Sequence, residues 1–211
     1  NSVYSLVISS AIFPLFYAML FANYTVKQIN FFGISFKSTA LISFITAFAF
    51  LTIAILSPVL SGIADFTGKK KRFMQFFCWF GALCTIGLYW FSLDHVYISM
   101  FFYFGGLIGF WGSLVFYNSY LPDIAYPEQQ DKLSAKGYSL GYIGSVILMI
   151  VNLLMVLNPS WFNIVEPTEA LAAEKAMRIS FLTVGVWWIV FAQYSFKHLP
   201  LYQSKGKITK N

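Results

Sequence analysis

Long uncharged tracts separated by short charged clusters constrain this chain more than any other feature of its sequence. The six tracts are residues 1–28 (interrupted only by Lys27), 38–64, 73–93, 96–122, 137–165 and 179–196. A helix needs about 20 apolar residues to cross a hydrocarbon core of roughly 30 Å. Only 10% of the residues are charged, against roughly 25% in a soluble domain. The pattern therefore predicts an integral membrane protein.

The tracts predict an all-α fold with six transmembrane helices. Unpaired backbone groups are excluded from hydrocarbon, and the tracts lack the strict alternation of a barrel strand, so helices are expected. The expected helices are at residues 3–22, 39–62, 72–91, 97–121, 135–157 and 177–196, which form one domain over residues 1–196. Residues 197–211 are expected to form a basic cytoplasmic tail or a linker between two halves.

The distribution of positive charge predicts the orientation, because Lys and Arg of short loops stay in the cytoplasm. Ten basic residues follow the even-numbered spans or lie in the tail, at Lys69, Lys70, Lys71, Arg72, Lys132, Lys136, Lys197, Lys205, Lys207 and Lys210. Four lie on the other side, at Lys27, Lys37, Lys175 and Arg178. Both termini are therefore expected in the cytoplasm, with anionic lipid headgroups beside the lysine clusters.

A specific string, SGIADFTGKKKR at residues 61–72, lies between the second and third spans. It resembles motif A of the major facilitator superfamily, a G-x-L-A-D-x-x-G-[RK]-[RK] pattern. The resemblance implies that the turn latches two halves of a transporter in one conformational state. The implied gating residues are Asp65, Gly68, Lys69, Lys70 and Arg72.

Physical chemistry is consistent with that role for two of these residues. Asp65 can accept hydrogen bonds or pair with a cation where the second span ends, and Gly68 permits a tight turn. Two positions depart from the pattern, because Ser61 replaces the first glycine and Phe66 stands where arginine is frequent. The basic residues 69–72 have two open interpretations, a latch or a cluster that only sets the topology.

A narrower resemblance extends along nearly the whole chain. It rests on residues 1–2, 58–65, 117–123, 134–144, 178–181 and 187–188, which read NS, PVLSGIAD, YNSYLPD, SAKGYSLGYIG, RISF and WW. In this order they resemble the bacterial major facilitator subfamily related to the eukaryotic vacuolar amino-acid effluxers. The resemblance implies a twelve-helix transporter of two six-helix halves with alternating access around a mid-membrane site. This chain would be the amino-terminal half, in a bacterial inner membrane.

Two groups of residues are candidates for packing and for solute binding. Small-residue faces are expected at Gly105, Gly109 and Gly112 on the fourth span and at Gly137, Gly141 and Gly144 on the fifth. Because no ionisable group lies at the centre of a predicted span, the substrate-binding candidates are neutral: Tyr4, Tyr117, Asn118, Asn152 and Gln193. Asn118 is preferred, whereas Asn152 and Gln193 could equally bond neighbouring helices.

Three functional hypotheses remain open. The first is a secondary or facilitative transporter of a small polar solute, with amino acids suggested by the resemblance. The second is an accessory subunit of a larger membrane complex, and the third is a half-transporter that acts as a homodimer. An enzyme is not expected, since no catalytic constellation, metal-ligand spacing or P-loop is present in the sequence. No cofactor, metal or nucleic acid is expected.

Overall fold

A computed structural model describes residues 7–8, 11–23 and 28–199, with the side chains of residues 21–23, 38–39 and 65 excepted. Its elements in chain order are α1 (Phe13–Asn23), β1 (Gln28–Phe31), β2 (Ile34–Lys37), α2 (Ser38–Thr67), α3 (Lys70–Gly87), α4 (Val96–Ser119), α5 (Leu121–Ile124), α6 (Pro127–Leu157) and α7 (Glu169–His198). The second to sixth predicted spans correspond to α2, α3, α4 with α5, α6 and α7.

Five helical segments are long and apolar enough to cross a membrane, at residues 40–64, 70–90, 96–124, 127–157 and 169–198. The chain is therefore an integral membrane protein with a helical bundle. The first predicted span falls partly outside the described residues, and its described helix α1 has only 11 residues. A sixth span remains a prediction.

The helices extend further than the apolar tracts. α2 continues past Gly62 to Thr67, α6 begins at Pro127 rather than at residue 135, and α7 begins at Glu169 rather than at residue 177. Pro127 occupies the first helical position, where its missing N–H group costs nothing. Thr168 accepts a hydrogen bond from the backbone N–H of Leu171 at 3.3 Å and so caps α7. In α2, α6 and α7 the helix therefore continues past the point where charged residues end the apolar tract.

A short β-hairpin departs from the all-α prediction. β1 and β2 pair antiparallel, with Gln28 opposite Lys37, and are joined by Phe32 and Gly33. Both turn residues have positive φ, at 50° and 76°, as the tightest hairpin turns require. The Phe32 N–H donates to the hydroxyl of Tyr97 at 3.3 Å. The hairpin is therefore attached to the start of α4.

The helices pack side by side in the order α2, α4, α3, α7 and α6. α3 and α4 approach most closely where Gly81 faces Gly109, since a Cβ on Gly81 would lie 2.9 Å from the Gly109 Cα. A Cβ on Gly105 or Gly112 would likewise meet side chains of α3, those of Cys84 and Phe77. The three glycines of α4 thus lie against α3.

The glycines of α6 lie in different surroundings. A Cβ on Gly137 would collide with the hydroxyl of Tyr117, a side chain of α4. At Gly144 a Cβ would lie 3.8 Å from the ring of Trp187, which is an ordinary contact. Gly141 accepts a hydrogen bond from the Ser145 hydroxyl within α6. The close backbone approach expected of this face is not seen at Gly144.

The buried core is aromatic around α1. The ring of Phe13 stacks on that of Tyr103 in α4, with centroids 4.1 Å apart, and Phe16 meets Phe181 of α7 edge-on at 5.1 Å. α1 therefore contacts both α4 and α7.

The bundle has two ends, which we name by their residues. The basic end contains residues 68–72, 120–126 and 199. The hairpin end contains residues 28–37, 88–95 and 158–168.

Candidate functional site

The turn at the basic end is built by the backbone of Gly68. α2 ends at Thr67, Gly68 takes a left-handed φ of 65°, and the N–H of Lys69 donates to the carbonyl of Ala64 at 3.2 Å. This hydrogen bond between the first and last of six residues is that of a Schellman motif at a helix C-terminus. Glycine is favoured there because it adopts a left-handed backbone without steric cost. The turn delivers the chain directly into α3.

The lysines of this turn differ in their surroundings although the sequence makes them look alike. Lys70 is only 7% exposed, and its ammonium donates to the Asp123 carboxylate at 3.1 Å and to the Ser119 carbonyl at 3.4 Å. Lys71 donates to the carbonyl of Leu199, just after α7, at 2.8 Å. The start of α3 is therefore bonded to the ends of both α4–α5 and α7.

The remaining members of the motif contribute less to these contacts. Lys69 and Arg72 are exposed, and their side chains form no ion pair or hydrogen bond with the described residues. The side chain of Asp65 lies outside the described residues, and its backbone lies in the last turn of α2. Lys70 and Lys71 therefore make specific bonds within this bundle, and both interpretations of residues 69–72 stay open.

The preferred solute-binding candidates meet α6 near the basic end. Asn118 is exposed, and its amide oxygen accepts a hydrogen bond from the Tyr138 hydroxyl at 3.2 Å. The ring of Tyr117 packs edge-on against that of Tyr138, with centroids 6.1 Å apart, and its hydroxyl lies against Gly137. These three side chains and the glycine connect α4 to α6.

The other candidates lie elsewhere. Asn152 is fully buried, and its amide oxygen accepts from the Thr183 hydroxyl of α7 at 2.9 Å. Its amide nitrogen has no hydrogen-bond partner among the described residues. Gln193 is exposed on α7, and Tyr4 lies outside the described residues. Among the described residues, Tyr117 and Asn118 thus lie together, whereas Asn152 and Gln193 lie apart from them.

A second polar cluster, which we call the Arg178 cluster, lies at the hairpin end. One guanidinium nitrogen of Arg178 donates to the carbonyls of Tyr89 and Phe91, each at 2.8 Å. Another donates to Glu174 at 3.0 Å, and the guanidinium carbon lies 5.1 Å from the ring centroid of Phe16. Arg178 therefore connects α7 to α1 and to the segment that follows α3.

The sequence only partly signals this cluster. The spacing of Glu174 and Arg178 predicts an i,i+4 pair, and the structure contains it. Both residues lie in the continuous helix α7, with Glu174 only 6% exposed. The backbone carbonyls that Arg178 binds carry no sequence signal.

A membrane-spanning helical bundle whose turn at one end resembles motif A is typical of membrane transporters of the major facilitator type. The family model described as "Vacuole effluxer Atg22 like" matches residues 22–209. The chain belongs to this Atg22-like family, which is a family of transporters and not of enzymes. No solved structure matches the chain significantly.

Individual relatives are consistent with the family. The uncharacterized MFS-type transporter YxiO of Bacillus subtilis is 33% identical over 199 residues, which cover 94% of this chain and 44% of that protein. Autophagy-related protein 22 of Saccharomyces cerevisiae is 28% identical over 176 residues, covering 74% of this chain and 30% of that protein. Autophagy-related protein 22-2 of Neosartorya fischeri is 34% identical over 90 residues, covering 39% and 14%. The chain spans less than half the length of these relatives.

Proposed function

We propose that this chain is the amino-terminal half of a secondary transporter that moves a small polar solute by alternating access. The observation that carries the proposal is the basic end, where Lys70 pairs with Asp123 and Lys71 binds the carbonyl of Leu199. These bonds make the ends of three helices one unit around the motif A turn. Such a unit can rock against a second half without changing its own packing.

A second six-helix half is the partner that this proposal requires. The outermost helices α2 and α6 expose apolar side chains along their lengths, among them Phe48, Leu51 and Ile55 on α2 and Ile143, Ile147 and Leu154 on α6. Lipid and a second half are both suitable neighbours for such faces. The matched residues cover 44% of the Bacillus relative. A protein of that length has room for a second half.

The proposal also includes an orientation, a location and a substrate class. With Lys and Arg retained in the cytoplasm, the basic end and both termini are cytoplasmic, and a bacterial inner membrane is the proposed location. We propose amino acids as the substrate class, by the resemblance to vacuolar amino-acid effluxers. Tyr117 and Asn118 are the proposed contacts of the solute, and Asp65 is the proposed gating carboxylate.

Two measurements test these claims. The intact mass of the polypeptide from its native membrane should be roughly twice the 24.0 kDa of this chain, as two-repeat transporters require. A mass near 24.0 kDa would instead demand a homodimer or favour an accessory subunit. Uptake of labelled amino acids should occur in proteoliposomes that contain the full-length protein.

The gating claim has its own variant. Asp65→Asn should slow uptake about tenfold, which corresponds to roughly 1.4 kcal/mol on the rate-limiting barrier, while the protein keeps its thermal stability. Asp94→Asn, an exposed carboxylate at the hairpin end, is the matched control and should transport normally. Undiminished uptake by the Asp65 variant would remove the gating role.

A further inference from the structure

A cleft of about 320 Å³ opens at the basic end between α4–α5 and α6. One wall is formed by Tyr120 and Ile124, and the opposite wall by Leu133, Lys136 and Leu140. The leucines and the isoleucine remain 40% to 63% exposed in this chain. An apolar cleft of this kind has to be covered by an apolar partner.

The polar groups of the cleft favour an anionic partner. Among the described residues, Lys136 is the only charged one that lines the cleft, and its ammonium forms no ion pair with any of them. The neighbouring Asp123 carboxylate is already paired with Lys70. The charge presented to an occupant is therefore positive.

A buried hydroxyl adds an independent observation. Tyr120 is 2% exposed, and its hydroxyl has no hydrogen-bond partner among the described residues. A buried hydroxyl without a partner is costly, so an oxygen acceptor from an occupant would stabilise it. The same cleft thus combines apolar walls, one cation and one open donor.

We propose that this cleft binds an anionic phospholipid. One acyl chain lies between Ile124, Leu133 and Leu140, and the phosphate lies against Lys136 and the Tyr120 hydroxyl. The apolar walls and the polar groups match the two parts of such a lipid, and the position at the basic end matches the level of headgroups. Tyr117, a proposed contact of the solute, also lines this cleft. The lipid proposal itself needs only residence in a bilayer and does not depend on transport.

The test is native mass spectrometry of the full-length protein titrated with phosphatidylglycerol, and in parallel with phosphatidylethanolamine. Lys136→Ala should weaken the first phosphatidylglycerol binding step about five-fold, as expected for one lysine near an anionic headgroup. The matched control Lys132→Ala removes an exposed lysine one turn earlier that does not line the cleft, and its binding should be unchanged. Equal losses in the two variants would mean unspecific surface attraction and would overturn the site.

A second pair of variants fills the cleft without changing its charge. Leu140→Trp should abolish the first binding step, whereas Ile147→Trp, two turns further along the same face of α6, should not. Equal binding of the two lipids would overturn the preference for an anionic lipid, because both carry a phosphate and only phosphatidylglycerol has a net negative charge. In a third experiment, a cysteine introduced at position 140 should react with maleimide in the delipidated full-length protein. Protection there would mean that the second half covers the cleft, and it too would overturn the proposal.

Discussion

The ammonium of Lys70 lies 3.1 Å from the carboxylate of Asp123, so the first residue of α3 is paired with the short helix that follows α4. The side chain of Lys70 is 9% exposed and that of Asp123 is 26% exposed. At that depth the pair is shielded from water and salt more than a surface pair is. It joins two helix ends that are separated by 53 positions in the sequence.

The first prediction concerns this pair. Lys70→Met should lower the free energy of unfolding by about 2 kcal/mol, the value of a hydrogen bond to a charged group in a partly buried site. Lys69→Met, which removes an exposed neighbouring lysine, should change it by less than about 0.5 kcal/mol. Thermal unfolding in detergent measures both, and similar losses in the two variants would contradict a specific role for Lys70.

The contact between α3 and α4 gives a second prediction. Gly109→Ala should destabilise the protein by about 1–3 kcal/mol, because the new Cβ would collide with the backbone of Gly81 and force the helices apart. Gly62→Ala is the control, since a Cβ there meets nothing within 4 Å. Gly62→Ala should leave the melting temperature unchanged or raise it, because alanine favours the helix. A stable Gly109 variant would show that the two helices are less closely packed than described.

Arg178 gives a third prediction. Arg178→Ala should cost about 3 kcal/mol, because it leaves the buried carboxylate of Glu174 and the carbonyls of Tyr89 and Phe91 without their donor. Adding Glu174→Gln to this variant should recover part of the loss. Lys175→Ala, which removes an exposed pair with Glu166, should cost much less, because water screens a surface pair. The melting temperatures of these variants measure the losses. A larger loss for Lys175→Ala than for Arg178→Ala would refute the stabilising role of Arg178.

The two asparagines of the candidate site should behave differently. Asn118 is exposed, so Asn118→Ala should raise the KM for the solute without changing the melting temperature. Asn152 is buried against Thr183, so Asn152→Ala should lower stability by about 0.6 kcal/mol, the mean for a polar bond between membrane helices, and leave KM unchanged. Uptake kinetics and thermal unfolding of the same preparations separate the two effects. A KM effect confined to Asn152→Ala would reverse the assignment.

Hydropathy alone located five of the long helices but placed the starts of α6 and α7 eight residues too late. The charged residues Glu128, Lys132 and Glu174 lie between the apolar tracts. A helix is held by backbone hydrogen bonds, so it can continue through such residues beyond the apolar tract. The hairpin escaped prediction for a different reason. Its alternating pattern is only four residues long in each strand, which is too short to separate from an irregular loop.

The sequence by itself determined that this chain spans a membrane as helices and that Gly68 makes the turn between two of them. Both follow from local chemistry, because apolar tracts exclude water and glycine tolerates a left-handed backbone. Only the tertiary structure decided that Lys70 and Lys71 form hydrogen bonds with other helix ends. It also decided which backbone carbonyls Arg178 binds. Those choices depend on Asp123, Leu199 and the carbonyls of Tyr89 and Phe91, which are distant in sequence and are brought close only when the helices pack.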